Sequence, residues 1–311
     1  MTLIFGMLTQ RYVLLASDRR VVVPTGGGSY RLDDDDRTKL AVLGTSSVFG
    51  YTGLAEIGGM RTHSWFIKFM KPSVDQGRTF DGLGELRHEL TRQFKRPRIR
   101  RLSGNVRRHA FLGVGFKRRN ADGHVFAAAD LVTNFHDSHG NEYATAQDQF
   151  IVRSLSLKPH APLSLLGVGA VPREPQRHRD LERYLRRRLF LGDPLRAAHL
   201  LAHEIRRVAV AGGQHGPVGE GLLICCIPLN YVLNGGVPGG PLDMETMSFA
   251  YIPTSGTDQV WMTPALAVAG FPALFQMIGF SAPPPEDGSD PYAEWRHELA
   301  LPTDVFGRHL P

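Results

Sequence analysis

The chain has 311 residues, of which 42% are apolar and 21% charged, with a formal net charge of +6. This length can bury a large hydrophobic core in one large domain or two, and the composition is that of an ordinary globular protein. No run of about 18 apolar residues is present, which argues against a membrane-spanning helix.

Two pairs of β-rich segments open the chain. Residues 1–9 and 12–20 are apolar runs joined by the polar Gln10-Arg11 step, which is typical of a hairpin. Residues 39–43 and 46–53 form a second pair around the Gly44-Thr45 turn. The sequence therefore predicts two β-hairpins before residue 54.

Helices and further strands follow these hairpins. Helices are predicted over residues 54–71, ended by Pro72, and over 81–96, ended by Pro97. Strands are predicted over 109–116, 124–129, 150–152 and 163–166. An amphipathic helix is expected around 181–189, and another begins at Pro194 with Asp193 as its N-cap.

The last predicted core strand contains both cysteines of the chain. Cys225 and Cys226 are adjacent within the apolar run 222–227, a spacing that fits neither a disulfide framework nor a metal site. We expect them to pack in the core of a protein from a reducing compartment. Because the N-terminus lacks a basic leader and a cleavable apolar segment, the expected location is the cytoplasm.

The sequence changes character after Pro228. A glycine- and proline-rich segment at 234–241 precedes strand-like runs at 248–252 and 259–262 and an apolar segment at 264–278. We therefore predict a domain over residues 1–233 and a C-terminal extension over 234–311 that packs on the same domain. Completion of a sheet, cover for an exposed face and contact with a neighbouring subunit all remain open for this extension.

Thr2 carries the clearest chemical signal. If Met1 is removed, Thr2 presents a free α-amine beside its hydroxyl, which combines a nucleophile with its own base. The ordinary pKa of an α-amine, roughly 7.7–8.0, lies close to working pH, as general-base catalysis requires.

The order and spacing of four residues resemble the start of proteasome β-type subunits, including the HslV branch of N-terminal-nucleophile hydrolases. Asp18 lies sixteen positions after Thr2, and Gly53 lies fourteen after Lys39. The resemblance implies that Thr2 is the nucleophile and that Lys39 keeps the amine neutral and stabilises the alkoxide. It implies that Asp18 holds Lys39 and that the Gly53 N–H binds the oxyanion.

The resemblance covers roughly Thr2 to Pro228 and implies a fold, an activity and an assembly. The expected fold is α+β, a four-layer αββα sandwich, here with a C-terminal extension. The expected activity is hydrolysis of amide bonds, as in peptide or protein substrates, without metal or organic cofactor. A homo-oligomer, which could be a ring, is expected.

Two departures from the family pattern support a different prediction. Val168, within Gly167-Val168-Gly169-Ala170, stands where the family has a serine that supports the amine. Val218 occupies a second serine position, and His215 falls near an expected aspartate. The alternative function is therefore a catalytically silent subunit that keeps the fold for assembly or binding.

Two other polar features have ordinary structural explanations beside functional ones. Basic clusters at residues 92–108 and 173–188 suit a nucleic-acid surface, but they contain few aromatic residues and no known binding motif accompanies them. The second cluster also fits the charged outer face of an amphipathic helix. His136, Asp137 and His139 are candidate metal ligands, although turn chemistry explains such a loop more simply. Neither nucleic-acid binding nor a metal site is the favoured prediction.

Overall fold

The computed structural model describes residues 2–26, 29–34, 37–76, 78–119, 121–169, 175–188, 194–213, 216–233, 248–252 and 261–264. Within them the chain is an α+β structure. Its strands are β1 Leu3–Thr9, β2 Tyr12–Asp18, β3 Val21–Gly26, β4 Ser29–Asp34, β5 Leu40–Leu43, β6 Ser47–Thr52, β7 Glu56–Ile57, β8 Met60–Arg61, β9 Ala110–Arg118, β10 Val125–Thr133, β11 Ile151–Ser156, β12 Leu163–Gly169, β13 Leu222–Pro228, β14 Ser248–Ile252 and β15 Trp261–Pro264. Its helices are α1 Thr62–Asp75, α2 Gly82–Phe94, α3 Pro97–Arg100, α4 Pro175–Arg188, α5 Pro194–Gly212 and α6 Leu229–Leu233.

Two antiparallel sheets contain most of the strands. One has six strands in the order β12-β1-β2-β13-β14-β15, and the other has five in the order β11-β10-β9-β6-β5. The predicted hairpins are confirmed as β1-β2, where Ile4 lies opposite Ser17, and β5-β6, where Val42 lies opposite Val48. They place one strand pair in each large sheet.

Both faces of the six-stranded sheet are covered near its centre, which explains the continuous apolar runs of β1 and β2. Every residue of these two strands is buried. Because side chains alternate along a strand, Leu3 and Phe5 face one way and Ile4 the other. A strand covered on both faces needs apolar residues at successive positions, and that is the composition seen here.

Three apolar clusters form the core, one between the two sheets and one on the outer face of each. Leu3, Phe5 and Leu14 of the six-stranded sheet pack with residues of α4 and α5, such as Leu185 and Leu201. A second cluster joins Ile4 and Leu15 of that sheet to Val48, Leu112 and Val114 of the five-stranded sheet. The third cluster joins the opposite face of the five-stranded sheet, at Phe49, Phe111 and Val132, to Phe66 of α1 and Leu86 of α2.

The first predicted helix differs from the structure at both ends. The expected helix over 54–71 begins at Thr62, because Gly58 and Gly59 adopt positive φ angles and turn the chain between β7 and β8. Pro72 does not end α1, which continues to Asp75. A proline removes the bond to the carbonyl four residues earlier. Lys68, which carries that carbonyl, is exposed, so water can reach the region.

The other predicted helices are confirmed as α2, α4 and α5, although Asp193 lies outside the described residues. In α4, Leu185 is fully buried while Arg183 and Arg186 are exposed, as expected of an amphipathic helix. None of the helices in the described part is long and apolar enough to cross a membrane. Cys225 and Cys226 are buried free thiols in β13, as predicted, and burial raises the pKa of Cys226 to about 12.

The strands predicted near residues 248 and 259 are present as β14 and β15. β14 pairs with β13, placing Tyr251 opposite Leu223, and β15 pairs with β14. Residues 248–252 and 261–264 therefore extend the six-stranded sheet. The boundary between a domain and an extension at residue 233 stays a prediction.

Candidate functional site

The four predicted site residues stand at the ends of strands. Thr2 directly precedes β1, Asp18 ends β2, Lys39 directly precedes β5, and Gly53 directly follows β6. The first two belong to the six-stranded sheet and the last two to the five-stranded sheet. The packing of the two sheets therefore determines whether these residues meet.

Lys39 connects Thr2 to Asp18. The Lys39 ammonium donates to Thr2 Oγ1 at 2.6 Å and to Asp18 Oδ2 at 3.1 Å, and it also donates to the carbonyl oxygen of Arg20. The three side chains are nearly inaccessible to water, since Thr2 is 4%, Lys39 1% and Asp18 0% exposed. A charge-assisted bond from an ammonium to a hydroxyl lowers the energy of the alkoxide formed when that hydroxyl loses its proton.

Asp18 has several partners besides Lys39. Its Oδ1 accepts the N–H of Leu3 at 2.8 Å. Its Oδ2 accepts the N–H of Arg20 at 3.0 Å and the N–H of Gly219 at 3.3 Å. A buried carboxylate is costly unless it is paired and hydrogen-bonded, and these contacts supply both requirements. They also hold β1 and the segment before β13 in place around the site.

Thr52 contacts Thr2 directly and was not among the residues predicted from the sequence. Its hydroxyl oxygen accepts the N–H of Thr2 at 3.2 Å, and the hydroxyl donates to the carbonyl oxygen of Thr2 at 3.1 Å. Thr52 is 1% exposed. The only sequence signal for this contact is a hydroxyl residue directly before the predicted oxyanion glycine.

Gly53 has a backbone conformation that favours glycine. Its φ is +109°, and a Cβ at this position would lie 2.6 Å from His109 Nδ1 and 2.8 Å from His109 Cα. The next residue, Leu54, donates its N–H to His109 Nδ1 at 3.1 Å. Close packing against His109 thus explains why position 53 has no side chain.

The positions predicted to depart from the family pattern are apolar and buried. Val168 is 2% exposed and packs in the cluster between the sheets, opposite Ile4 in the β1–β12 register. Val218 is also 2% exposed and packs against the cluster that includes α5. Neither side chain can donate a hydrogen bond to Thr2. His215 lies outside the described residues.

Gly169 allows the chain to pass close to Thr2. Its φ is +100°, and a Cβ there would overlap the carbonyl oxygen of Thr2 and lie 3.0 Å from Thr52 Oγ1. The end of β12 therefore approaches the backbone of Thr2 directly. This close approach needs glycine for both steric and conformational reasons.

The loop with candidate metal ligands forms a hydrogen-bonded turn. Asp137 Oδ1 accepts the N–H groups of His139 and Asn141, each at 2.8 Å, and Oδ2 accepts Asn141 Nδ2. These bonds lower the pKa of Asp137 below its usual value. His136 instead bonds to Thr133, with Nδ1 and Oγ1 3.0 Å apart. In the described part of the chain, no three His, Cys, Asp or Glu side chains are grouped to hold a metal.

The basic clusters differ in their pairing. Arg107 and Arg108 form ion pairs with Asp148 and Glu142, at 3.2 Å and 2.7 Å. On α4, Arg183 pairs with Asp180 and Arg186 with Glu182 within the same helix. The exposed bases of the first cluster are Arg92, Lys95, Arg96, Arg98, Arg100 and Arg101, and Arg92 pairs with Glu89 on the same helix.

Comparison with solved structures finds likeness to proteins that include HslV and Anbu. HslV from Trypanosoma brucei is similar with a TM-score of 0.39 and 14% identity, over 73% of this chain and 99% of that chain. A Gly-1 mutant of Anbu from Hyphomicrobium sp. strain MC1 and Anbu, an ancestral beta-subunit, from Yersinia bercovieri are similar with TM-scores of 0.40 and 13% identity. Each covers 73% of this chain and, respectively, 82% and 81% of its own.

No protein-family model and no curated protein sequence matches the chain. At these identities and TM-scores, the likeness assigns no role to any residue. What the site can do must therefore be argued from its own contacts.

Proposed function

We propose that this protein is a proteasome-like, threonine-type hydrolase that cleaves peptide bonds with Thr2 as its nucleophile. The observation that carries the proposal is the bond of 2.6 Å from the Lys39 ammonium to Thr2 Oγ1, with Asp18 paired to the same ammonium. An ordinary buried threonine has no need of a buried cation, and burying that cation has a large desolvation cost. The arrangement suits a hydroxyl that carries negative charge during a reaction.

The proposed reaction proceeds through an ester. After Met1 is removed, Thr2 Oγ1 bonds to the carbonyl carbon of the substrate while its proton passes to the free α-amine. The electron pair of the C=O bond moves to oxygen, which accepts the Gly53 N–H. Collapse restores the C=O and breaks the C–N bond, and the α-ammonium returns its proton to the leaving amine. Water then hydrolyses the ester by the same route and frees Thr2.

The proposal includes the fold and its assembly. We propose a four-layer αββα sandwich of the N-terminal-nucleophile type over residues 1–233, and the three apolar clusters support it. One cluster lies between the sheets, and the other two join each sheet to its own helices. We also propose that peptides or proteins are the substrates and that the chain forms a homo-oligomer, with a ring as one arrangement.

A silent subunit is the second candidate, and the valines at 168 and 218 favour it. In the described residues the α-nitrogen of Thr2 has one side-chain partner, the Thr52 hydroxyl. Without the expected serines, fewer groups guide a proton to and from the amine. If this second candidate is right, the protein keeps the fold for assembly or binding without turnover.

The test combines intact mass with hydrolysis of a panel of fluorogenic peptides. We expect purified protein to lack Met1, to hydrolyse at least one peptide and to form an adduct at Thr2 with a covalent inhibitor directed at N-terminal threonine. Thr2→Ala should abolish hydrolysis, whereas Thr2→Ser keeps a hydroxyl and should retain part of it. Thr9 is a buried threonine of β1 outside the site. Thr9→Ala is therefore the control for the effect that loss of a buried threonine has on folding.

Two results would reject the proposal. Retention of Met1 in fully active protein would exclude the α-amine as base. Mature protein that neither hydrolyses peptides nor forms an adduct at Thr2 would favour the silent subunit.

A further inference from the structure

His109 lies behind the predicted oxyanion donor and bonds to the segment that carries it. Leu54, the residue after Gly53, donates its backbone N–H to His109 Nδ1 at 3.1 Å. On the other side of Gly53, the Thr52 side chain bonds to both backbone groups of Thr2. The peptide that contains the Gly53 N–H is therefore held between two anchored neighbours.

The backbone of His109 is itself fixed by Asn134. The His109 N–H donates to Asn134 Oδ1 at 2.8 Å, and the Asn134 N–H donates to the His109 carbonyl oxygen at 3.2 Å. Asn134 Nδ2 also donates to the carbonyl oxygen of Arg107 at 3.0 Å. The first two bonds hold the backbone of His109 against Asn134, and the third ties Asn134 to Arg107.

Aromatic rings fix the orientation of the His109 side chain. Its ring lies 5.1 Å from Phe111, 5.4 Å from Phe94 and 6.3 Å from Tyr51, measured between centroids, and the residue is 0% exposed. Because Nδ1 accepts the Leu54 N–H, the proton of the neutral ring is on Nε2. Burial lowers the pKa of His109 to about 3, so the ring stays a neutral acceptor at ordinary pH.

We infer that His109 is a positioning residue, which aligns the Gly53 N–H with Thr2 through its bond to Leu54. This inference rests on the proposed function. A glycine with positive φ rotates easily when nothing restrains its neighbours. The His109–Leu54 bond supplies that restraint on the far side of Gly53. It also directs the Leu54 N–H towards His109. His109 neither touches substrate nor transfers a proton.

A matched pair of substitutions separates the acceptor from the volume of the side chain. His109→Asn places a carbonyl oxygen where Nδ1 lies, whereas His109→Leu has the same branched shape without an acceptor. Because displacement of a reacting group by about 1 Å can cost about 100-fold, we expect the leucine variant to lose about 10- to 100-fold in kcat. KM should change less than about threefold, since the lost alignment affects the transition state more than the ground state.

The asparagine variant should rescue the reaction and keep kcat within about threefold of the wild type. Phe66→Leu is the control, because Phe66 packs in the same apolar cluster against Phe49 and Phe111 rather than against His109, so the Leu54 bond is left intact. Its kcat should equal that of the wild type. All rates are expressed per active site, titrated with the covalent threonine-directed inhibitor, so that unfolded protein does not count. The dependence of kcat on pH should have the same shape in the leucine variant as in the wild type, because no titrating group of the reaction has been removed.

The outcomes distinguish this inference from the proposed function. If wild-type protein neither hydrolyses nor forms an adduct, both are rejected. If the wild type is active and the leucine variant has the same kcat, or the asparagine variant is equally impaired, only the role of His109 is rejected. Should the leucine variant not fold, Asn134→Ala replaces it, with an expected loss of about 3- to 10-fold in kcat. An unchanged kcat in that variant also rejects the role.

Discussion

Replacement of Lys39 by methionine tests the buried ion pair at the centre of the site. The change keeps an unbranched side chain and removes the ammonium that bonds to Thr2, to Asp18 and to the Arg20 carbonyl. Removal of one partner from a buried ion pair typically costs about 3–5 kcal/mol of unfolding free energy. Asp18 retains three backbone N–H donors, so we expect the lower end, about 3 kcal/mol.

A domain of ordinary stability, about 5–15 kcal/mol, tolerates this loss, so the Lys39→Met variant should still fold. Activity should fall at least 100-fold in kcat, roughly the effect of removing one electrostatic group from a catalytic site. The measurements are urea denaturation at pH 7 and hydrolysis of the best peptide from the panel. The denaturation slope should match that of the wild type, since the fold is unchanged.

Lys71→Met is the matched control. Lys71 Nζ lies only 2.6 Å from Asp75 Oδ2 on α1, a shorter distance than in the buried pair. Its side chain is 57% exposed and that of Asp75 47%, so water screens the pair and the expected loss is below about 0.5 kcal/mol. Equal losses of unfolding free energy in the two variants would contradict this prediction, because we attribute the loss to the burial of the ion pair and not to its distance.

Three further predictions concern the site, acid stability and assembly. Thr52→Val should lower kcat at least about 10-fold by removing the hydroxyl bonded to Thr2, while Thr52→Ser retains the rate; equal rates would contradict this role. His109 has an ordinary pKa of 6.5 in the unfolded chain and about 3 in the fold, so between these values the unfolded state binds more protons. The unfolding free energy should therefore fall with decreasing pH by up to about 1.4 kcal/mol per pH unit. Urea denaturation at several pH values should show that the unfolding free energy of His109→Asn depends less on pH. Native mass spectrometry should show a homo-oligomer, and a monomer alone at micromolar concentration would count against it.

Local apolar patterns were sufficient to predict most elements. The runs around Gln10-Arg11 and Gly44-Thr45 became the two hairpins, and the apolar positions of α2 lie on one buried face. The predicted start of α1 was wrong because Gly58 and Gly59 form a turn of their own. Its end also differed, since Pro72 lies within the helix. A glycine or proline is compatible with more than one local backbone structure, and packing selects among them.

The partners of the site were harder to predict than its side chains. The resemblance to proteasome β-type subunits singled out Thr2, Asp18 and Lys39, the three residues that the structure joins by hydrogen bonds. It did not reveal the Arg20 carbonyl or the Gly219 N–H, because every residue has these backbone groups and sequence does not distinguish them. Thr52 was missed because its hydroxyl is recognisable only once its distance to Thr2 is known.

The sequence by itself determined which chemical groups are available and which segments have apolar residues at the spacing of a strand or of a helix. Both are local properties of the chain. Only the tertiary structure decided that Asp18 meets Leu3 across β1 and β2, Gly219 before β13 and Lys39 from the other sheet. Such distances depend on strand register and on how two sheets stack. Both depend on the simultaneous burial of many apolar side chains that are far apart in the chain. No short stretch of sequence carries that information.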